Sequence, residues 1–570
     1  MKTPTNWTAL FVLALAAFGS CHCNCRCLPG DSCWPSTSQW DSLNRTVNGR
    51  LVATVPIGSP CHDPHYDEAA CADLQSNWNL PQTHFVSSSS VMQTYFSNQS
   101  CDPFTSESSE CRLGNYVNYA VNVSSSHDVA AAIKFAKSNN IRFVIRNTGH
   151  DYFGRSTGAG ALSVWTHHLN DIEYIDWSDA TYSGPALKLG SGVMGFQVLE
   201  ASSARGLVVV GGECPTVGLA GGYTQGGGHS ALSTSFGLGA DQTLAMEVVT
   251  AEGDLVTASQ TENIDLFWAL SGGGAGNWGV VMSVTVKAYP DTIVSGAALQ
   301  FLASNTTTDI FYEAITRFHT LLPDMIDAGV SVIYEMTSQA FIIHPVTAYN
   351  MTSDDVKSIL SPFLSTLTDL EISYAVSYTQ KTGYYDHYNT YMGPLPYGNL
   401  EVGAYTYGGR LVPRSVLESK SSTEFFGSAL RNLTEGGLIA VGVGLDVSNK
   451  KGDKPANAVF PEWRNAAITM QVGLTWNDSA PWSQMVANQF KMTNKFMPQL
   501  EAATPGGGAY ENEGDFRQPN WQQTFFGSNY QRLKDIKGKW DPHSFFYVLK
   551  GVGSEHWTVD ESGRMCESHA

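Results

Sequence analysis

Gly211-Gly-Glu-Cys-Pro-Thr-Val-Gly-Leu-Ala-Gly-Gly222, followed at once by Tyr223-Thr-Gln-Gly-Gly-Gly-His-Ser230, holds more glycine than an ordinary helix or central strand tolerates. Each interior glycine costs up to about 1 kcal/mol against alanine in a regular element. A cluster this dense therefore predicts a backbone that lines a ligand. The flanks Leu207-Val-Val-Val210 and Met246-Glu-Val-Val-Thr250 read as core strands, not as the ends of a flexible linker. Upstream, the β-branched and aromatic run Ile141-Arg-Phe-Val-Ile145 predicts a buried strand that leads into Arg146-Asn-Thr-Gly-His-Asp-Tyr-Phe-Gly-Arg-Ser156. Gly149 and Gly154 permit positive φ there, and the backbone N–H groups of such a turn suit a pyrophosphate. His150 and Cys214 thus each stand in a segment built to approach a large ligand.

Around these segments the pattern is mixed. Val117-Asn-Tyr-Ala-Val121 reads as a strand, and Ser125-Ser-His-Asp128 with Val129-Ala-Ala-Ala-Ile-Lys-Phe-Ala-Lys137 as a capped helix, giving a strand, helix, strand unit with the strand at 141. From about 293 to 505, alternating runs such as Val330–Met336 and Ala466–Leu474, broken by helices near 309–322 and 353–368, predict an antiparallel sheet with helices on one face.

The chain has 570 residues, 42% of them hydrophobic and 11% aromatic, enough for two lobes with a large core. Its net charge of −19, without a Lys/Arg-rich run, disfavours nucleic acid and anionic membrane surfaces and leaves a neutral or weakly charged small molecule as the expected substrate. Lys2 and the short apolar run Ala9–Phe18, ending in Gly19-Ser20, read as a signal peptide over residues 1–20, too short to span a bilayer. Seven Asn-x-Ser/Thr sites follow, at Asn44, Asn98, Asn122, Asn305, Asn350, Asn432 and Asn477, and predict N-linked glycans. Asn6 also matches but falls in the leader. Nine of the eleven cysteines lie between Cys21 and Cys111, which predicts a disulfide-stapled region over 21–112 of unreadable pairing. A metal cluster at Cys21, Cys23, Cys25 and Cys27 has the wrong spacing for a zinc ribbon, and no metal is expected. Export, or delivery to a vacuole or similar lumen, fits both features.

The two glycine-rich motifs, with Asn263-Ile-Asp-Leu-Phe-Trp-Ala-Leu-Ser-Gly-Gly-Gly-Ala-Gly-Asn-Trp-Gly-Val-Val281, Tyr510-Glu-Asn-Glu513, Trp521–Tyr530 and Lys537-Gly-Lys-Trp-Asp-Pro542, resemble the berberine-bridge-enzyme-like branch of the vanillyl-alcohol-oxidase flavoproteins, and most of all its secreted fungal members. The resemblance implies an α+β fold: a PCMH-type FAD-binding domain of two α/β subdomains over 113–292, completed by 506–570, and an antiparallel substrate domain over 293–505. It implies bicovalent FAD, with His150 on the 8α carbon and Cys214 on carbon 6 of the ring. It further implies FAD contacts from Arg146, Asn147, Thr148, Gly149, Asp151, Tyr152, Ser156, Val217, Gly218, Gly221, Gly222, Gly227, Gly228, Gly237, Asp241, Val249 and Asn512. Relatives with valine three residues after the tethering cysteine tend to react with O2, so Val217 implies an oxidase that releases hydrogen peroxide.

A base must take the substrate's hydroxyl proton as hydride leaves the adjacent carbon. Relatives use a tyrosine near the motif at Tyr510. Glu513 is the other candidate, since a carboxylate in an apolar cavity gains proton affinity. The aromatic stretch Tyr384–Tyr391, with Tyr397, Tyr405, Tyr407 and Arg410, is expected either to line the pocket or to form a half-exposed strand and loop. An FAD-linked oxidase acting on an alcohol or a small secondary metabolite is the reading adopted. Oxidative ring closure, carbohydrate oxidation and a flavin-carrying glycoprotein without turnover are its alternatives.

Overall fold

A computed structural model describes residues 25–449 and 455–568. The predicted signal peptide, Cys21 and Cys23 lie outside the described residues.

Ser125 accepts the backbone N–H of Asp128 and starts the helix Ser126–Ser138. Its Val129, Ala132, Ile133 and Ala136 recur at i, i+3, i+4 and i+7, and all four are buried against strands of a four-stranded sheet. In that sheet Leu51–Ala53 runs antiparallel to Tyr119–Asn122, and Leu162–Trp165 lies parallel between Tyr119–Asn122 and Phe143–Arg146. A five-stranded antiparallel sheet follows, in the order Ile172–Ser178, Ser183–Gly190, Val280–Lys287, Thr243–Val249 and Leu255–Ser259.

The largest sheet has seven antiparallel strands, ordered Tyr374–Lys381, Val294–Leu302, Ala340–Tyr349, Ser331–Met336, Leu438–Gly444, Ala466–Thr475 and Tyr405–Pro413. The two-residue period of a strand divides its side chains between two faces. Val332, Met336, Phe341, Ile343, Ala440, Ile468, Met470 and Val472 pack under the helices Thr308–Asp327, Ser353–Asp369 and Lys420–Glu435. Burying each larger one is worth about 1.5–3 kcal/mol. The opposite parity, Ile333, Glu335, Ile342, Ile439, Val441, Thr469 and Gln471, faces a cavity.

In the helix-covered core His319 is fully buried, with Nδ1 2.8 Å from the Ile315 carbonyl and Nε2 2.8 Å from the Tyr334 hydroxyl. A neutral ring with its proton on Nδ1 satisfies both contacts, and burial pulls its pKa down to about 4. Between pH 6.5 and 4 the unfolded chain binds more protons at this site than the folded one, so stability falls as pH falls through that window. Differential scanning calorimetry should show about 3 kcal/mol of acid destabilisation tied to this ring. A His319→Gln variant with an equally steep fall in stability would refute that assignment.

The C-terminal segment returns to the first lobe. Lys537, buried on the helix Tyr530–Trp540, donates to the Asn277 and Phe546 carbonyls at 2.6 and 2.9 Å and pairs with Asp541 at 2.6 Å. Disulfides Cys27–Cys33, Cys61–Cys71 and Cys101–Cys111 are local, while Cys25–Cys566 joins the two ends of the described chain. The cysteine-rich region is thus stapled as expected, but it is also tied to a strand 541 residues away. Cys25 and Cys27 are consumed by disulfides and are not metal ligands. Among the described residues no helix is long and apolar enough to cross a membrane, and no group of three or more His, Cys, Asp or Glu side chains is placed to hold a metal ion.

Candidate active site

Strand Phe143–Arg146 delivers the first glycine-rich loop to the cavity. Gly149 takes φ +86°, and a Cβ there would collide with the Arg146 guanidinium packed beneath it. Arg146 is fully buried and donates to the His84 carbonyl at 3.2 Å. Asp151 accepts the backbone N–H groups of Arg155 and Ser156, at 2.5 and 3.1 Å, and the Ser156 hydroxyl. The N–H groups expected to cradle a pyrophosphate are therefore partly occupied by the loop's own carboxylate.

In the second loop Pro215 fixes φ at the second position of a tight turn, closed by Val217 N–H donating to the Cys214 carbonyl at 3.2 Å. Phe196 N–H to Pro215 O (2.8 Å) and Gly195 N–H to Val217 O (3.0 Å) pin the turn against the start of helix Gly195–Ser203. The turn carries Thr216, fully buried, whose hydroxyl lies 2.8 Å from His150 Nε2 and 3.4 Å from Cys214 Sγ. Burial lowers the His150 pKa to about 3, so the ring is neutral at ordinary pH. Burial also raises the Cys214 thiol, against the opposing pull of the Thr216 hydroxyl and the Thr216 and Val217 N–H groups.

These loops form the floor of a cavity of about 780 Å³ roofed by the seven-stranded sheet. Tyr152 on the floor stacks on Tyr407 of the roof, with ring centroids 4.0 Å apart at 14°. Tyr391, Tyr405 and Tyr407 line the cavity, but Arg410 does not. Its guanidinium turns toward Thr504 and Glu501 instead. The stretch Tyr384–Tyr391 is a helix and not a strand, with Tyr384, His387, Tyr388 and Tyr391 on its buried face. From it the Tyr388 hydroxyl donates to the Gly212 and Glu213 carbonyls, at 3.1 and 2.8 Å, and so braces the cysteine loop from above.

One further cluster sits on the wall. His229 Nε2 lies 2.7 Å from Glu513 Oε1, and its Nδ1 lies 3.3 Å from Glu213 Oε2. Burial opposes protonation of this ring, but the two carboxylates outweigh it and hold its pKa well above the ordinary histidine value. Tyr510 is buried edge-on to His229 and Trp463. Its phenol oxygen accepts the Gly228 N–H at 3.2 Å and the Asn512 amide at 2.7 Å. Burial, with the nearby Glu513 charge, pushes the Tyr510 pKa well up, so the phenol is neutral.

Of the residues expected to touch the cofactor, His150, Cys214, Asn147, Thr148, Gly149, Asp151, Tyr152, Ser156, Val217, Gly218, Gly221, Gly222 and Asn512 line the cavity, as do both base candidates. Arg146, Gly227, Gly228, Gly237, Asp241 and Val249 do not, and each has another task. Asp241 accepts Arg464 and Asn457, Gly237 precedes that Asp241 turn, and Val249 sits in a strand core. Gly227 and Gly228 turn the chain at positive φ beneath Tyr510. Part of the glycine density serves close approach by the protein's own side chains: a Cβ at Gly218 would strike Asn147, and one at Gly226 would strike Asn512. Thr216, Glu213 and His229 were not among the expected site residues, although His229 directly follows the triple glycine and the other two flank Cys214 within two positions.

The wall suits a large polar ligand such as FAD. Among the described residues, Asn147 Oδ1, Arg155 Nη2, Ser191 Oγ, Glu213 Oε1, Gln225 Oε1 and Glu511 Oε1 are buried, lack a hydrogen-bond partner and belong to residues lining this cavity. Such groups are costly when left unpaired, so their concentration around one cavity marks a site for a polar occupant.

Residues 117–259 match the family model of an FAD-binding domain, and residues 509–553 match the berberine and berberine-like model. The FAD-linked oxidoreductase ZEB1 of Gibberella zeae is 54% identical over 96% of this chain and 95% of its own length. The FAD-linked oxidoreductase patO of Aspergillus clavatus is 46% identical over 97% and 96%. The crystal structure of the VAO-type flavoprotein MtVAO615 from Myceliophthora thermophila C1 superposes with a TM-score of 0.93 at 43% identity, covering 95% of this chain and all of the other.

Proposed function

This chain belongs to the berberine-bridge-enzyme-like, VAO-type FAD-linked oxidoreductases, and from that premise we propose that it is an oxidase of an alcohol or small secondary metabolite, with FAD tethered at both His150 and Cys214. The observation that carries the reading is the convergence of those two nucleophilic side chains on one hydroxyl at the cavity wall. Two hydrogen-bond lengths separate them at most, the scale of one substituted ring. When bound, FAD accepts hydride from the substrate carbon and passes the electrons to dioxygen, giving hydrogen peroxide.

The chain's own residues do the rest. Glu513 takes the substrate's hydroxyl proton. Tyr510 is unsuited because its buried phenol is neutral and its oxygen already accepts two hydrogen bonds. His229, a cation between Glu213 and Glu513, keeps this carboxylate pair from repelling and fixes Glu513 at the wall. Neutralising Glu513 on proton uptake then leaves the His229–Glu213 ion pair and no net charge on the cluster. Asn147, Arg155 and Gln225 supply unsatisfied polar atoms for the cofactor, and the Tyr152–Tyr407 stack bridges floor and roof. The apolar strip Ile333, Ile439 and Val441 excludes water from the roof. Entry into the secretory route, with glycans at the named sequons, is part of the same proposal. Among the sequons Asn98, Asn305, Asn350, Asn432 and Asn477 are exposed, whereas Asn44 and Asn122 are half-buried.

Turnover of a panel of primary and secondary alcohols and phenolic metabolites should consume O2 with matching peroxide release. Val217 lines the cavity, and Val217→Leu should slow reoxidation in stopped flow by about tenfold or more through bulk alone. Turnover with an artificial dye acceptor but none with O2 would reject the oxidase assignment.

A further inference from the structure

We propose that Thr216 is a positioning residue for covalent cofactor attachment, one hydroxyl that orders both His150 and Cys214 for bond formation. The inference rests on the reading of FAD tethered at both residues and concerns how the chain makes those bonds.

The Thr216 hydroxyl has two neighbours of opposite need. His150 makes its hydrogen bond through Nε2, at 2.8 Å. A neutral imidazole carries one ring proton, and placing it on Nε2, where the Thr216 oxygen accepts it, leaves Nδ1 with a bare lone pair. That lone pair is the nucleophile. The Thr216 O–H is then free to point at Cys214 Sγ, 3.4 Å away, and to stabilise sulfur as it loses its proton. The relay therefore runs in one direction, from imidazole N–H to hydroxyl to sulfur, and a single hydroxyl sets the tautomer of one tether and supports the thiolate of the other. Thr216 is able to do this because it is immobile: it is fully buried, sits one residue after Pro215, and is held in a turn pinned at both Pro215 O and Val217 O. Arg146 beneath Gly149 and the low pKa of His150 work the same way, since a charged ring offers no lone pair.

Each attachment balances as a two-electron oxidation. A C–N or C–S bond forms, the N–H or S–H of the chain and a C–H of the cofactor break, and the two protons and two electrons released reduce one dioxygen to hydrogen peroxide. The proton that leaves His150 is the one already directed at Thr216.

The test compares wild type with Thr216→Val, which keeps the shape and removes the hydroxyl, and Thr216→Ser, which keeps the hydroxyl. Each protein is produced with limiting riboflavin and mixed with FAD in air. Flavin-bearing peptides containing His150 and Cys214 are then quantified by mass after acid quench, alongside thermal unfolding and non-covalent FAD content. The inference predicts that Thr216→Val binds FAD but forms the Cys214 bond at least about tenfold more slowly, with a smaller lag at His150, and that Thr216→Ser restores both. Thr216→Val forming both bonds at the wild-type rate overturns it, as does a folded Thr216→Ser that is as slow as Thr216→Val. If Thr216→Val does not fold, Thr216→Ala against Thr216→Ser gives the same reading. Wild type without any linked peptide overturns the tethering itself, and so separates failure of the function from failure of the inference.

Discussion

The double variant His150→Ala/Cys214→Ala will lose all acid-stable flavin, while each single variant keeps it. Acid precipitation unfolds the chain and removes every non-covalent contact, so colour in the washed pellet counts covalent bonds alone. Wild type should hold about one flavin per chain, each single variant should still hold it through the remaining bond, and the double variant should release it to the supernatant. Both side chains touch the same hydroxyl, so truncating one leaves the other within reach of the ring. The double variant should still fold, because neither residue belongs to a hydrophobic core: both lie on the cavity wall. The singles should also differ in spectrum, since only one retains sulfur bonded to the ring. A colourless wild-type pellet, with no flavin in the supernatant, would leave the cavity without its proposed occupant.

Local pattern carried much of this in the sequence. The strand ending at Arg146, the helix capped by Ser125 and the alternating runs of the large sheet all form near their expected places, because each depends on period and capping within a dozen residues. The glycine-rich segments likewise mark the cavity, although some of those glycines make room for Asn147, Asn512 and Tyr223 and not for a ligand. What was hidden is long-range. His229 and Glu513 are 284 positions apart and meet only because the C-terminal segment folds back. Asp241 was expected at the cofactor, but its charge is spent on Arg464, 223 residues away. The Cys25–Cys566 bridge has no local signal at all. Arg410 obeys strand parity: it pairs across with Met470 on the helix-covered face, opposite to the cavity-lining Tyr405 and Tyr407, and meets Thr504 there.

Replacing Glu513 by glutamine should lower kcat by about a hundredfold to ten-thousandfold, the range for a lost proton acceptor, with little change in KM. Glutamine keeps the size of the side chain, and its carbonyl oxygen still accepts from His229, so the wall and the contact at 2.7 Å survive. What is lost is the negative charge that receives the proton. With one of its two carboxylates gone, His229 should also drop back toward the ordinary histidine range, because Glu513 is the larger of the two charge contributions that raise it. In wild type the cation persists above that range and is lost only as pH rises through its raised value, so the alkaline limb of kcat/KM should move to lower pH in His229-destabilised variants. Glu213→Gln, which spares the base, isolates that shift: the rate near neutral pH should stay within a few fold while the alkaline limb moves down. Tyr510→Phe provides the contrast. It leaves the Gly228 N–H without its acceptor and one contact of the Asn512 amide unmade, so its cost should appear mainly as about 1–3 kcal/mol of stability. A Glu513→Gln enzyme with near-wild-type kcat, beside a Tyr510→Phe enzyme that is folded and inactive, would reverse the two roles: the phenol would then have to receive the proton despite its burial.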